Sequence, residues 1–166
     1  MNPSTNKGYR PNVCAVLLDE SGTQVLMFRR VDATLGEFRW QFPQGGLDAG
    51  EEPARGLLRE LREEIGTDDV ELLGGLPQPL RYDYPADVLE ALAQRDPRKA
   101  GFRGQEQHWF LARLRGGTET IHFDHQPQEF DSWGWVTPEQ AVARVVPFKR
   151  TVYRQALSEL GLLPPG

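Results

Sequence analysis

Residues 45–67, GGLDAGEEPARGLLRELREEIGT, constrain the fold of this chain more than any other stretch. A pair of glycines leads into a helix whose two ends can both be assigned. Pro53 suits a first helical position, where its missing N–H costs nothing, and Gly66 suits the position just past a helix end. Between them, apolar residues recur at the helical period of 3.6 and predict one buried face. That face comprises Ala54, Leu57, Leu58, Leu61 and Ile65.

The same helix carries three glutamates, Glu60, Glu63 and Glu64, on a different side. Like charges at these spacings repel one another by roughly 0.2–0.5 kcal/mol per pair, and Arg59, four residues before Glu63, offsets part of that repulsion. A hard divalent cation with oxygen ligands would remove it. Three glutamates alone are typical of a solvated helix face. The metal-binding interpretation therefore depends on the residues around them.

The spacing of those surrounding residues resembles the Nudix box, the signature of hydrolases that cleave a nucleoside diphosphate linked to another group. Eight positions match at the family's spacings: Gly45, Glu51, Arg59, Glu60, Leu61, Glu63, Glu64 and Gly66. The next position departs from the family pattern, because Thr67 stands where the family has a bulky aliphatic residue.

The resemblance implies the chemistry of the site. Glu60, Glu63 and Glu64 would be the metal-binding side chains, and the carbonyl group of Gly45 would be a further metal ligand. Glu64 or Glu63 would be the catalytic base, and the sequence does not separate ligand from base. The cofactor implied is Mg²⁺, as several ions, with Mn²⁺ as a substitute; Mg²⁺ prefers carboxylate and phosphate oxygens.

Four residues in and beside the matched positions would have structural roles. Arg59 would orient the glutamates rather than touch the substrate, consistent with its spacing from Glu63. Glu51 would hold the glycine-rich loop against the start of the helix. Gly46 and Gly66, near the two ends of the box, would have structural roles in the backbone.

Stretches outside the box narrow the resemblance to the branch of RNA pyrophosphohydrolases and dinucleoside polyphosphate hydrolases. They are GYRPNV at 8–13, WQFPQGG at 40–46, GQEQHWF at 104–110, EFDSW at 129–133 and VPFKR at 146–150. Because the likeness extends over nearly the whole chain, we expect a single Nudix hydrolase domain, residues 1–166, with a core at about 8–160.

Five residues outside the box match functional positions of that branch. Arg10 and Arg29 would meet the substrate, Phe148 would stack on a base, and Lys149 would lie next to the phosphate path. Glu129 would be an outer metal ligand or an alternative base. Without the resemblance, Phe148 is equally typical of a core residue, Arg29 of a solvated strand and Lys149 of the surface.

The coarse pattern along the chain alternates strands with helices, which predicts a layered α/β domain. The family resemblance implies, more specifically, an α/β/α sandwich with a mixed β-sheet. The predicted strands are 13–18, 24–30, a short one at 40–42, 70–76, 109–114, 118–123 and 130–136. The predicted helices besides that of the box are 86–95, 138–145 and 148–160.

Residues 78–105 form the least regular region and carry a basic, aromatic-bearing segment. It comprises Tyr82, Tyr84, Arg95, Arg98, Lys99 and Arg103. Such a segment near a phosphate site is suited to guide a nucleic-acid strand. An ordinary solvated loop has the same composition, and both interpretations stay open here.

Composition excludes some classes of function. Asp and Glu number 24 against 19 Lys and Arg, a net charge of −5, which argues against a protein that coats DNA or RNA generally. Cys14 is the only cysteine, so no intramolecular disulfide can form, and no signal core or membrane-length apolar run is present. We therefore expect a cytoplasmic protein with no DNA and no membrane partner.

Three functions are compatible with these observations. The first is an RNA 5′-pyrophosphohydrolase that converts 5′-triphosphate RNA to 5′-monophosphate RNA with release of pyrophosphate. The second is a dinucleoside polyphosphate hydrolase acting on substrates such as diadenosine tetraphosphate. The third, a non-catalytic nucleotide-binding module, predicts a broken box, whereas all three glutamates are present. We favour the first, because Arg10, Arg29 and Phe148 match the RNA pyrophosphohydrolase branch and because basic residues gather at 95–103 and 149–154.

Overall fold

The structure, a computed structural model, describes residues 8–96 and 101–165. The strands are β1 (Tyr9–Leu17), β2 (Val25–Arg30), β3 (Trp40–Gln41), β4 (Gln44–Gly46), β5 (Val70–Gly75), β6 (Leu80–Asp83), β7 (Gly104–Leu114) and β8 (Phe130–Val136). The helices are α1 (Pro53–Ile65), α2 (Ala86–Arg95), α3 (Pro138–Arg144) and α4 (Arg150–Glu159). No helix within the described ranges is long and apolar enough to cross a membrane.

The strands form a larger and a smaller sheet. The larger has the order β4-β1-β7-β5, with β6 also paired to β7, and the smaller has the order β3-β2-β8. Strand β1 runs parallel to β7 and antiparallel to β4, so the larger sheet is mixed. With helices packed against its faces, this arrangement confirms the predicted α/β/α architecture.

Strand β1 is the central element because both of its faces are covered. Residues 13–18 are all buried, as their nearly unbroken apolar run predicts for a strand covered on both sides. Their side chains alternate between two core clusters. The odd-numbered residues share a cluster with Leu57, Leu61 and Ile65 of α1, and the even-numbered residues share one with Tyr153 of α4.

Several local predictions are confirmed at their boundaries. Helix α1 begins at Pro53 and ends before Gly66, whose φ of 78° is left-handed and suits glycine. Helix α2 and strand β8 have the predicted limits. The side chain of Thr137 accepts a hydrogen bond from the backbone N–H of Gln140, which makes Thr137 the N-cap of α3.

The predicted strand at 118–123 is wrong. The segment forms a 3₁₀ turn at Thr118–Thr120 and then runs along the end of α1. The N–H of His122 donates to the carbonyl of Ile65 at 2.9 Å, so this backbone caps a helix instead of joining a sheet. Ile121 and Phe123 pack on the α1 core cluster, which accounts for the apolar pattern that resembled a strand.

The region 78–105 is more regular than its sequence indicates. It contains β6, whose Leu80 and Tyr82 are buried while Arg81 and Asp83 are exposed, and β7 begins at Gly104 instead of residue 109. Of the basic segment, Arg98 and Lys99 lie outside the described residues. Arg95 pairs with Asp32 at 3.5 Å and Arg103 pairs with Asp83 at 3.0 Å.

The last helix begins two residues later than predicted. A 3₁₀ turn at Pro147–Lys149 precedes α4, which starts at Arg150. Because of this turn, Phe148 and Lys149 contribute to the wall of a cavity beside the larger sheet.

Candidate active site

A cavity of about 390 Å³ lies beside β4 and the glutamate side of α1. Its other walls come from β1, β2, β6, β7, α2 and the segments 125–129 and 147–149. The lining residues are Arg10, Arg30, Gln41, Gln44, Gly45, Gly46, Glu60, Glu63, Glu64, Tyr82, Tyr84, Val88, Leu92, Arg95, Gln105, His125, Pro127, Glu129, Phe148 and Lys149.

Close approach on both faces of β4 explains its two glycines. A Cβ atom on Gly45 would overlap the carboxylate of Glu60, and one on Gly46 would overlap the guanidinium group of Arg10. Successive strand residues face opposite sides, so β4 separates an acidic group on α1 from a basic group on β1. Gly45 and Gly46, predicted as the start of the glycine-rich loop, belong instead to strand β4, which pairs with β1, and the loop follows them.

The guanidinium group of Arg59 connects the strand, the loop and the helix. It donates to both carboxylate oxygens of Glu51 at 2.8 and 2.9 Å and to the carbonyl of Gly46 at 2.9 Å. It also donates to Glu60 at 2.9 Å and to Glu63 at 3.4 Å. Arg59 does not line the cavity, so within the described structure it acts on the glutamates and not on the cavity itself.

Glu51 closes the loop that precedes α1. Its carboxylate accepts a hydrogen bond from the backbone N–H of Asp48 at 3.0 Å, in addition to those from Arg59. The Arg59 hydrogen bonds, followed by that of Asp48, lower the pKa of Glu51 to about 2. The ionised carboxylate therefore holds the loop against the helix throughout the neutral pH range.

Glu64 is the most buried of the three helix glutamates, with 8% of its surface exposed. Its carboxyl group accepts a hydrogen bond from the backbone N–H of Gln44 and shares another with Glu60. Among the described residues, its Oε1 atom has no hydrogen-bond partner. A buried acceptor without a donor is costly, and a cation in the cavity would satisfy it.

The pKa values of Glu64 and Glu60 also show that their ionised forms are disfavoured in this cavity. Burial raises the pKa of Glu64 well above its ordinary value, and the nearby carboxylates of Glu60 and Glu129 raise it further. Burial also raises the pKa of Glu60, although Arg59 opposes that shift. Both shifts disfavour the ionised forms, and a bound divalent cation would reverse them by supplying positive charge.

The donor set fits a hard divalent cation. Carboxylates from Glu60, Glu63, Glu64 and Glu129 and the backbone of Gly45 all line one cavity, and Mg²⁺ and Ca²⁺ take such oxygen ligands. Within the described residues, no three acidic, histidine or cysteine side chains are already arranged around one point. The fit therefore rests on ligand chemistry and on the unpartnered oxygen of Glu64.

The remaining walls carry basic and aromatic side chains. Arg10 crosses the face of Gly46, and the Lys149 ammonium lies 5.9 Å from the centroid of the Tyr82 ring. The Phe148 and Tyr82 rings have centroids 5.9 Å apart, with their planes inclined by 47°. Phe148 is half-buried, so one part of its ring packs on the core cluster while another part lines the cavity.

Of the two neighbouring arginines at the end of β2, the structure places Arg30 and not Arg29 in the cavity lining. Arg29 was predicted to meet the substrate, but its guanidinium donates to Asp131 at 2.7 Å, outside the cavity lining. Arg30 lines the cavity instead. Consecutive strand residues point to opposite faces, and the pairing of β2 with β8 shifts register between these two arginines.

Sequence reasoning missed several other lining residues, including Gln44, Gln105 and Arg30. Gln44 and Gln105 were both present in the quoted stretches WQFPQGG and GQEQHWF. Gln44 and Gln105 come close together only because β4 and β7 pair with opposite edges of β1. Tyr82 and Tyr84 are two residues apart, which is the spacing of side chains on one face of a strand. That spacing was the available sequence signal that both rings could line one cavity wall.

A family model described as NUDIX domain matches residues 8–156 of the chain. Among curated proteins, one named RNA pyrophosphohydrolase from Acidiphilium cryptum (strain JF-5) is 44% identical over 159 residues, covering 93% of this chain and 92% of that protein. Another of that name from Helicobacter pylori (strain ATCC 700392 / 26695) is 38% identical over 156 residues, covering 92% and 94%.

Solved structures with low sequence identity share the fold. The Escherichia coli dihydroneopterin triphosphate pyrophosphohydrolase superposes with a TM-score of 0.64 at 22% identity, covering 92% of this chain and 97% of that one. A Caenorhabditis elegans Ap4A hydrolase in a binary complex gives a TM-score of 0.61 at 17% identity, covering 92% and 98%.

Gly45→Ala tests the close approach of Glu60 to β4. The added methyl group must displace the Glu60 carboxylate, and a displacement of about 1 Å at a catalytic group typically costs on the order of 10²-fold in rate. We expect that loss in metal-dependent turnover, with little change in the urea unfolding midpoint. Gly74→Ala is the matched control, because a Cβ there meets no atom within 4 Å. Equal turnover of the two variants would contradict the assigned role of Gly45.

Glu64→Gln tests the electrostatic cost of the buried carboxyl group. Its pKa is raised from 4.5 in the folded protein, so the wild-type protein loses stability as pH rises above that value, while glutamine does not. In EDTA at pH 7 the variant should have the higher urea midpoint, and the difference should shrink towards pH 4.

Mg²⁺ should then raise the midpoint of the wild-type protein more than that of Glu64→Gln. Glu71→Gln, at an exposed position on β5, serves as the control and should show neither effect. A Glu64→Gln variant that is less stable than the wild-type protein in EDTA at pH 7 would refute the buried-charge interpretation.

Proposed function

The chain belongs to the Nudix family of hydrolases, and we propose that it removes pyrophosphate from 5′-triphosphorylated RNA, leaving a 5′-monophosphate. The observation that carries this proposal is the composition of a single cavity. One side presents four carboxylates suited to divalent cations, and the other walls present basic and aromatic side chains suited to phosphates and a base. A nucleotide 5′-triphosphate with bound divalent cations carries groups complementary to both sets of side chains.

The carboxylates of Glu60, Glu63 and Glu64 would hold Mg²⁺, or Mn²⁺ in its place, with the Gly45 carbonyl and Glu129 as further ligands. Bound there, the ions would neutralise phosphate charge and lower the pKa of a bound water. The oxygen of Glu64 that has no partner in the described structure supports this assignment. Mg²⁺ is favoured over softer metals because the ligands are oxygen atoms.

The chain's own residues would position and activate the reactants. Arg59 holds Glu60 and Glu63 in fixed orientations. Glu63 or Glu64 would accept the proton of the attacking water. Both carboxylates line the cavity in which that water would be held.

The basic residues would bind the phosphate chain as counter-charges. Arg10, Arg30 and Lys149 line the cavity, and charge-assisted hydrogen bonds to phosphate are about twice as strong as neutral ones. Phe148, inclined over Tyr82, would stack on a nucleobase. Stacking on an aromatic ring is worth about 1–3 kcal/mol per base.

The names of close relatives support RNA over other substrates. Proteins named RNA pyrophosphohydrolase are 38–44% identical to this chain over nearly its whole length. The alternative is a dinucleoside polyphosphate such as diadenosine tetraphosphate. The net charge of −5 favours that smaller ligand, because a longer polyanion would meet more of the acidic surface.

The proposal is tested by turnover of two substrates under identical conditions with Mg²⁺. We expect a higher kcat/KM for triphosphorylated RNA than for diadenosine tetraphosphate, with pyrophosphate as the product from RNA. Glu64→Gln should lower both rates by orders of magnitude. A higher kcat/KM for diadenosine tetraphosphate would establish the alternative, and full activity of Glu64→Gln would overturn the mechanism.

A paired substitution distinguishes the two neighbouring arginines of β2. Arg30→Ala should raise KM by about tenfold, because a hydrogen bond to a charged group is worth about 1.5–3 kcal/mol. Arg29→Ala should have the smaller effect, since Arg29 pairs with Asp131 outside the cavity. Steady-state kinetics on triphosphorylated RNA measure both. The reverse order would return the substrate contact to Arg29, as the family resemblance implies.

A further inference from the structure

A row of buried amide side chains crosses the larger sheet beneath the cavity. Asn12 of β1 and Gln107 of β7 are 0% and 1% exposed, and Gln105 of β7 is 6% exposed. Asn12 and Gln107 are directly paired in the sheet register. Buried amides cost free energy unless they are hydrogen-bonded. Three buried amides in a row are therefore unusual at a position that apolar side chains could fill.

The hydrogen bonds along this row have a direction. The Gln107 amide nitrogen donates to the Asn12 oxygen at 3.0 Å, and the Asn12 nitrogen donates to the Gln44 oxygen at 2.8 Å. On the other side, the Tyr82 hydroxyl donates to the Gln105 oxygen at 2.6 Å. Asn12 therefore accepts from Gln107, and Gln44 accepts from Asn12. The last acceptor in the row is the oxygen of Gln44.

Gln44 lies where the row meets the cavity. It lines the cavity next to Gly45, and its backbone N–H donates to Glu64. Because its side-chain oxygen is held by Asn12, the amide NH₂ is the part of the group directed away from the row. We propose that this NH₂ group binds a phosphate oxygen of the substrate beside the carboxylates, and that Asn12 and Gln107 position it. This inference rests on the proposed function.

A neutral donor suits this position for a chemical reason. Glu60 already pairs with Arg59, and a second arginine or lysine at position 44 would also pair with Glu64 and compete there with a divalent cation. An amide NH₂ donates to a phosphate oxygen without carrying that charge. Its weakness is that it can rotate and present its oxygen instead, which would repel the phosphate. The bond from Asn12 prevents that rotation.

The row keeps a cost that a purely structural core would avoid. Within the described structure, the oxygen of Gln107 is buried and has no hydrogen-bond partner. The Gln107 amide nitrogen also donates to the Gln105 oxygen at 3.5 Å, so turning this amide over would set its oxygen against two acceptors. The orientation that gives the row its direction therefore leaves one buried acceptor unpaired.

The experiment measures binding of Mg²⁺-loaded adenosine 5′-(α,β-imido)triphosphate by titration calorimetry. In this probe an imido bridge replaces the oxygen of the bond that release of pyrophosphate would break. Gln44→Met removes the donor at nearly constant volume, and we expect its affinity to fall about tenfold. Gln44→Glu keeps the acceptor for Asn12 but presents a carboxylate oxygen, so its affinity should fall further. Mg²⁺ binding measured without nucleotide should be unchanged in Gln44→Met. Gln140→Met, in the capping box of α3, is the control and should bind as the wild-type protein does.

Asn12→Leu distinguishes positioning from general damage. It releases the Gln44 amide without adding charge, and we expect about a threefold to tenfold loss of affinity in the wild-type background. In the Gln44→Met background it should cause no further loss, because no amide remains to be oriented. Gln107→Met should behave in the same way and replaces Asn12→Leu if that variant does not fold.

Unchanged affinity of Gln44→Met, or additive losses in the double variant, would overturn the inference. A wild-type protein that binds the probe but hydrolyses neither triphosphorylated RNA nor diadenosine tetraphosphate would overturn only the proposed function. A wild-type protein that does not bind the probe would overturn both.

Discussion

The hydrogen bonds of the Arg59 guanidinium group are the interaction on which the candidate site depends. One planar group joins the loop through Glu51, strand β4 through Gly46, and the helix through Glu60 and Glu63. These segments meet only where the helix packs against the sheet. A guanidinium presents five donors in a rigid fork, which a lysine ammonium cannot reproduce. Its position therefore sets the orientation of two carboxylates in the cavity.

The site holds charges that the fold alone would not favour. Glu64 is buried and lacks the ion pair with Arg59 that its neighbours have. Proteins commonly retain such local conflicts at functional positions, where a ligand resolves them. On the opposite face of β4, Arg10 provides positive charge within the same cavity. The two glycines of β4 allow both groups to approach the backbone.

Local sequence patterns correctly predicted the helices whose ends are set by capping residues and whose faces follow the helical period. Helix α1 was defined by Pro53, Gly66 and a period of 3.6, and α3 by its capping residue Thr137. The prediction failed where distant contacts decide the conformation. The segment 118–123 has a strand-like composition, but its backbone hydrogen-bonds to the end of α1. Strand β6 was missed because its pairing with β7 depends on residues more than 20 positions away.

The residues of the candidate site also fall into those that the sequence predicted and those that only the tertiary structure placed there. The sequence by itself determined the carboxylate set, because Glu60, Glu63 and Glu64 are fixed on one side of a helix by its period. It also indicated Arg10 and Phe148 through the family resemblance. Only the tertiary structure decided that Arg30 and not Arg29 lines the cavity, and that amides from three strands form one row. Those facts depend on strand register and on the face each strand turns inward, and no local pattern in the chain specifies either.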